Sequence, residues 1–303
     1  MATRAISPIN AFLMVCLITF WGSSFVIVKA MIGEGFTPIA IAAFRFLIAG
    51  MLFATTLFLK QRRDKNYSIL VEGRDFPKFL LLGLTGVTLF FTAQYTGIQL
   101  AGASIAAILV CLLAPILISV FSAQMFKEQL MTSNSLGIGI AAVGTIIVVV
   151  GGTLSVQGSG TNFLFGSLIL LSTPLLWTTY TLIGKKTMLK YDPFLVAAYV
   201  NILGGICLIP FSLAENSFQE VFSMNMNEWL AILYLAFTCS LLGYFIWFRV
   251  MNQVKAAVTS SFLFAEPLIT VVFAAIFVGE SITLFTVMGG FLIFIGVYTV
   301  TKK

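Results

Sequence analysis

The chain has 303 residues, 59% of them hydrophobic and 9% charged, with a formal charge of +6. That balance excludes an ordinary soluble domain and describes an all-α polytopic membrane protein. With no histidine anywhere, His-dependent triads and His-ligated metal sites are excluded as well.

Ten apolar runs approach the roughly 20 residues that a helix needs to cross a bilayer. They span about 11–31, 38–60, 76–97, 103–126, 134–152, 163–184, 193–214, 228–249, 256–277 and 281–300. No small-residue cleavage site follows the first run, so it is expected to stay as a span. With the N-terminus inside, all Lys and Arg except Lys29 and Arg45 fall on cytoplasmic segments, while Glu34, Glu215, Glu220, Glu228 and Glu280 fall outside. This bias predicts cytoplasmic N- and C-termini in a multi-pass protein of the plasma membrane. The basic residues are therefore topology signals, and no nucleic-acid partner is expected. The four cysteines (Cys16, Cys111, Cys207 and Cys239) lie inside apolar runs without metal-ligand spacing and read as packing residues. No metal or other cofactor is expected.

Along the chain, span 1 carries Trp21 and Ser24, with Lys29 near its outer end, where a long side chain snorkels to the interface. Span 2 opens at Pro38 and holds Arg45 roughly 10 Å further down. Three roles are open to Arg45: snorkelling, pairing with Glu266 or another acid, or binding a substrate carboxylate. The 60–78 stretch is a solvated loop without a nucleotide-binding motif. In span 3, Thr85, Thr88, Thr92 and Tyr95 recur at helical spacing and predict one polar face, extended by Gln99. The equivalent positions of span 8 are Phe237, Ser240, Tyr244 and Trp247. Span 6 offers Thr173, Trp177 and Tyr180, span 7 Asn201, and span 9 Thr259, Glu266 and Thr270. Thr hydroxyls commonly bond back to their own helix. Aromatic walls with a few polar groups suit a small-molecule cavity.

Span 9 contains a carboxylate beside a proline, Glu266–Pro267. The proline is expected to leave the Leu263 carbonyl without its helical partner, and an acid at membrane depth faces an interior or a wet cavity. The same frame occurs in span 4, where Pro115 matches Pro267, Glu128 matches Glu280, and Ala114 stands in the place of Glu266. Pro115 and Pro267 are accordingly expected to act as hinges. A shift of 152 residues lays 95–149 on 247–301 without a gap, pairing Gly137 with Gly289 and Gly144 with Gly296. These glycines, with Gly139 and Gly290, predict close helix contacts within spans 5 and 10. The reading is two five-helix repeats, 1–155 and 156–303. Five being odd, the repeats are inverted, a plan that places substrate near the midplane around a central cavity.

W-G-S-S-F at 21–25, Lys29, Pro38 and R-F at 45–46, followed by A-P at 114–115 and E-P at 266–267, resemble EamA-type members of the drug/metabolite transporter superfamily. The resemblance covers almost the whole chain. It implies ten helices, a central cavity, and export or exchange of amino acids or other small metabolites. Spans 5 and 10 would then be peripheral. With no ATP motif, the expected partners are a small-molecule substrate, the lipid bilayer and a coupling proton or ion. The expected site is Trp21, Ser24, Arg45, Thr88, Thr92, Tyr95, Trp177, Tyr180, Asn201, Tyr244, Trp247 and Glu266. A channel-like facilitative carrier is the alternative. A membrane-embedded enzyme is the weakest reading, since the acidic clusters that hold metals are missing.

Overall fold

The computed structural model describes residues 6–101, 103–127, 132–153, 161–278 and 284–301. Glu128 and Glu280, the closing acids of the repeated frame, lie outside these residues.

The described residues contain helices and no strand. Helices α1 (Pro8–Gly33), α2 (Pro38–Arg63) and α8 (Pro193–Ala214) start alike: a capping side chain, Ser7, Thr37 or Asp192, accepts from a backbone N–H of the first turn, and a proline stands at the first helical position. The cap satisfies an orphan N–H, and the proline loses nothing where no partner exists. Between them lie α3 (Phe76–Gly83), α4 (Leu89–Ala101), α5 (Ala103–Phe126), α6 (Thr132–Thr153) and α7 (Thr161–Thr187). The chain ends through α9 (Met226–Tyr234), α10 (Gly243–Gln253), α11 (Ala256–Ser261), α12 (Glu266–Val278) and α13 (Leu284–Thr301). Among the described residues eight helical stretches are long and apolar enough to cross a membrane, with shorter apolar helices at Thr132–Ile147 and Val287–Val300. Phe12, Met51, Leu168, Phe291 and Phe294 are exposed on the outside, an apolar surface that belongs in lipid.

Three spans are not continuous α-helices. Leu84–Thr88 joins α3 to α4, and Leu235–Leu242 joins α9 to α10, both as π-helical segments. Phe262–Ala265, between α11 and α12, is a 3-10 turn. The expectation for Pro267 is corrected here: the Leu263 carbonyl accepts the Glu266 N–H in this tighter turn, so it has a partner. The paired expectation of a hinge at Pro115 also changes, because α5 runs through Pro115 as one helix. The two prolines are alike in sequence and unlike in backbone.

Helices α2 and α8 pack at contact distance. A Cβ on Gly50 would stand 3.4 Å from Ile202 Cα, and one on Gly205 would stand 2.9 Å from the Phe46 carbonyl oxygen. Both ends of this pair are tied. At one end Tyr67 donates to Asp192 at 2.9 Å, Tyr191 donates to Asp75 at 2.8 Å, and Lys190 bridges Asp75 at 2.7 Å and Glu72 at 2.5 Å. At the other, Glu220 accepts from the Thr37 N–H at 3.0 Å. The glycine contacts expected of spans 5 and 10 join the two spans to each other: a Cβ on Gly137 or Gly144 would lie 2.7 Å from the carbonyl oxygen of Gly296 or Gly289. Gly139 faces open space and takes no part.

Candidate functional site

Where α1, α2, α4, α5, α7, α10 and the start of α12 converge, they line a partly open cavity of about 440 Å³, counting the space continuous with its mouth. Its walls carry two ionisable groups of opposite sign. Arg45, on α2, is 1% exposed. It is held entirely by neutral groups: Nε donates to Ser240 Oγ at 2.7 Å, Nη1 donates to Tyr95 Oη at 2.6 Å, and the guanidinium carbon stands 4.7 Å from the Phe91 ring centre and 4.9 Å from that of Phe46. Among the described residues no carboxylate is within ion-pair distance of it. Arg45 therefore neither snorkels nor pairs with Glu266. A guanidinium cannot shed its charge in a protein, so it remains a cation at the cavity wall with N–H donors to spare.

Glu266 opens α12, directly after the 3-10 turn, and is 6% exposed. The positive end of a helix favours an acid there. Its Oε2 accepts from Cys111 Sγ at 3.6 Å. Thr270 Oγ1 bonds the carbonyls of Gly22 and Glu266 at 3.0 and 3.1 Å, pinning this turn of α12 to α1.

The rest of the wall is aromatic. The Trp21 indole donates to the Cys239 carbonyl at 2.9 Å, and Tyr244 Oη donates to the Gly86 carbonyl at 2.6 Å. Both carbonyls belong to the π-helical segments. Trp177 meets Trp21 edge-on, with ring centres 5.3 Å apart, and Phe90 lies 5.0 Å from Trp177. Ser24 lines the cavity while bonding the Trp21 carbonyl at 2.6 Å.

Of the residues expected from sequence, Trp21, Ser24, Arg45, Trp177, Tyr244 and Glu266 meet on this cavity, and Tyr95 supports it through Arg45. Tyr180 and Trp247 form a fully buried layer behind Trp177. Three more of the expected residues neither line the cavity nor support it. Thr88 donates to the Gly204 carbonyl, Asn201 donates to its own helix at Ala197, and Thr92 Oγ1 is buried without a partner. The single polar face expected of span 3 is thus not a cavity wall. The π-helical segment interrupts its register, and Phe90, Phe91 and Gln94 line the cavity instead. Gln94, one residue before Tyr95, was legible as a polar group within an apolar run. Cys111, expected to be a packing residue, lines the cavity and bonds Glu266; its apolar surroundings gave no sign of this. Phe25, Phe90, Phe91 and Val110 gave no signal beyond being apolar. Lys29 is exposed near the C-terminal end of α1 and does not line the cavity.

A family model described as the EamA-like transporter family matches residues 9–150 and again residues 164–302. Two Archaeoglobus fulgidus proteins, each described as an uncharacterized transporter, are 30% identical to this chain over 283 and 286 residues, covering 93% and 94% of it and 94% and 96% of their own lengths. A Salmonella typhimurium protein described as a probable amino-acid metabolite efflux pump is 25% identical over 299 residues, covering 95% of this chain and 93% of itself. A solved crystal structure shares the fold at a TM-score of 0.77 and 17% identity, covering 96% of each chain. Matched twice by one family model and across nearly its full length by these relatives, the chain belongs to the EamA-like transporter family.

Proposed function

We propose that the chain is a secondary transporter that exports or exchanges small zwitterionic metabolites, amino acids or their relatives, by alternating access. The observation that carries this reading is an Arg45 held only by neutral groups and a Glu266 on different walls of one cavity. A carboxylate at Arg45 and an ammonium at Glu266 would each meet its opposite charge, and the aromatic wall between them would hold an apolar side chain. The name of the Salmonella typhimurium relative is in keeping with this substrate class.

The working architecture is ten helices as two inverted repeats, 1–155 and 156–303, in the plasma membrane with both termini cytoplasmic. The double match of the family model supports it. So do the π-helical segments at 84–88 and 235–242, which fall at positions related by the same shift of 152. The Lys and Arg distribution supports the orientation. Energy would come from an ion gradient or the substrate's own, with Glu266 as the group that accepts either a coupling proton or the substrate ammonium.

Purified protein in liposomes tests the reading. Saturable counterflow of an unmodified amino acid is expected. Flux that rises linearly with concentration would replace the carrier with a channel, and chemical alteration of the solute would replace it with an enzyme.

A further inference from the structure

Directly behind the cavity lies a group of polar atoms that the binding reading does not use. Trp177 Nε1, Tyr180 Oη and Trp247 Nε1 are all buried and have no hydrogen-bond partner among the described residues. Buried polar groups are nearly always satisfied, and leaving one unsatisfied is costly. Here three such groups adjoin: Tyr180 lies 4.8 Å and Trp247 5.6 Å from Trp177, ring centre to ring centre. Within the aromatic cluster the contrast is sharp: Trp21 and Tyr244 both donate to a backbone carbonyl, and these three donate to nothing among the described residues.

Position adds a second argument. Trp177 belongs to the cavity lining and to this deeper layer at once, so the layer begins where the cavity ends. It lies toward the ends of α7 and α10 that carry Lys185, Lys186 and Arg249. Tyr180 packs on Phe248 at 5.1 Å, and Trp247 and Phe248 are fully buried. The three unpartnered atoms are an indole N–H, a phenol and a second indole N–H. A site rich in donors suits a ligand rich in acceptors.

We propose that Trp177, Tyr180 and Trp247 form a second subsite on the permeation path, exposed when the closed end of the cavity opens, which takes the carboxylate of the substrate after it leaves Arg45. This rests on the transporter reading. In the closed arrangement the donors are unsatisfied, and in the open one the passing carboxylate satisfies them. The layer thus acts as a gate whose closed form is held under tension by its own unpaired donors.

Tyr180→Phe tests this, because it removes the hydroxyl and keeps the ring. A hydroxyl that does useful hydrogen bonding would lower the melting temperature when removed. An unpaired one should raise it, by roughly 2–4 °C for a chain of this size. Counterflow of a carboxylate-bearing amino acid should slow about tenfold, and its methyl ester should slow less. Binding at the cavity, read by tryptophan fluorescence, should stay within about twofold. Trp247→Phe should slow counterflow in the same selective way. A lower melting temperature for Tyr180→Phe, parental flux in both variants, or equal slowing of acid and ester would each overturn the subsite while leaving the transporter reading intact. Failure of the parent protein to show counterflow would overturn both.

Discussion

Arg45→Met replaces a buried guanidinium with an apolar side chain of similar reach. Two charge-assisted hydrogen bonds are lost, to Ser240 and Tyr95, each worth about 1.5–3 kcal/mol. Against this, the fold no longer strips water from a buried ion, a cost of several kcal/mol. The two contributions oppose each other at similar size, so the melting temperature should shift by only a few degrees. Binding should respond differently. A substrate carboxylate loses its one charge-assisted partner, about 2–3 kcal/mol, or roughly 30- to 150-fold in Kd at 1.4 kcal/mol per tenfold. Trp21 and Trp177 line the cavity, so quenching of intrinsic fluorescence on titration with amino acid reads this directly. The methyl ester of the same amino acid should bind parent and variant equally. Undiminished binding of the free acid by Arg45→Met, or an equal loss for acid and ester, would refute the assignment of Arg45 to the carboxylate.

Glu266→Gln keeps the volume but cannot ionise: amino acids should bind at least about tenfold more weakly, on the same scale of 1.4 kcal/mol per tenfold, while des-amino analogues bind as before. If amino-acid binding is retained and only the pH dependence of transport disappears, Glu266 serves coupling in place of contact. Gly22→Ala places a Cβ 2.8 Å from Ile269 Cγ2 and 3.0 Å from the Glu266 carbonyl oxygen, an overpacking worth about 1–3 kcal/mol; a thermal melt should show the loss, and an unchanged melt would mean that α1 and α12 separate freely there. In the ionic cluster at the α8 start, the hydrogen bond from Lys190 holds Glu72 below the usual carboxylate range, and bonds to Asp75 and Glu72 hold Lys190 above the usual amine range. A depressed acid loses its stabilising effect as pH falls through its folded pKa, and a raised amine loses its effect as pH rises through its own, so the pair is fully effective between about pH 5 and 10. Lys190→Met should therefore melt below the parent within that window, less so in high salt; bonds from Lys190, Lys78 and Tyr191 hold Asp75 well below the usual carboxylate range, so the gap narrows in acid only as Asp75 protonates, and a gap equal in low and high salt would show that Lys190 acts by packing alone.

Much of the site was legible because charge and aromaticity are conspicuous in apolar runs. Arg45 and Glu266 stood out as ionisable groups at membrane depth, and both face the cavity. Trp21 and Trp177, aromatic groups within apolar runs, have ring centres 5.3 Å apart. What failed was the assumption of unbroken helical periodicity. The spacing of Thr85, Thr88, Thr92 and Tyr95 describes one face only if 3.6 residues make every turn, and the segment 84–88 does not obey that. Pro115 and Pro267 fail for the complementary reason. A proline removes a donor wherever it stands, but the neighbouring packing decides whether the helix tightens, as before Glu266, or continues, as around Pro115.

The π-helical segments also explain which parts of the aromatic cluster are fixed. Each offers a carbonyl to a donor from a distant helix: Gly86 accepts from Tyr244, and Cys239 from Trp21. Such a bond sets both the position and the tilt of the ring, and Gly243 permits the close approach, since a Cβ there would stand 2.6 Å from Trp21 Nε1. Trp21 and Tyr244 are therefore anchored to backbone and form a constant wall of the cavity. Trp177, Tyr180 and Trp247 have no such anchor; ring contacts alone hold them. Ring contacts are worth only about 0.5–1.5 kcal/mol each beyond the area they bury and can be exchanged for others, whereas a buried hydrogen bond must be replaced in kind. If part of this cluster moves to extend the cavity, it is the unanchored layer that can do so without breaking a hydrogen bond, while Trp21 and Tyr244 stay tied to backbone.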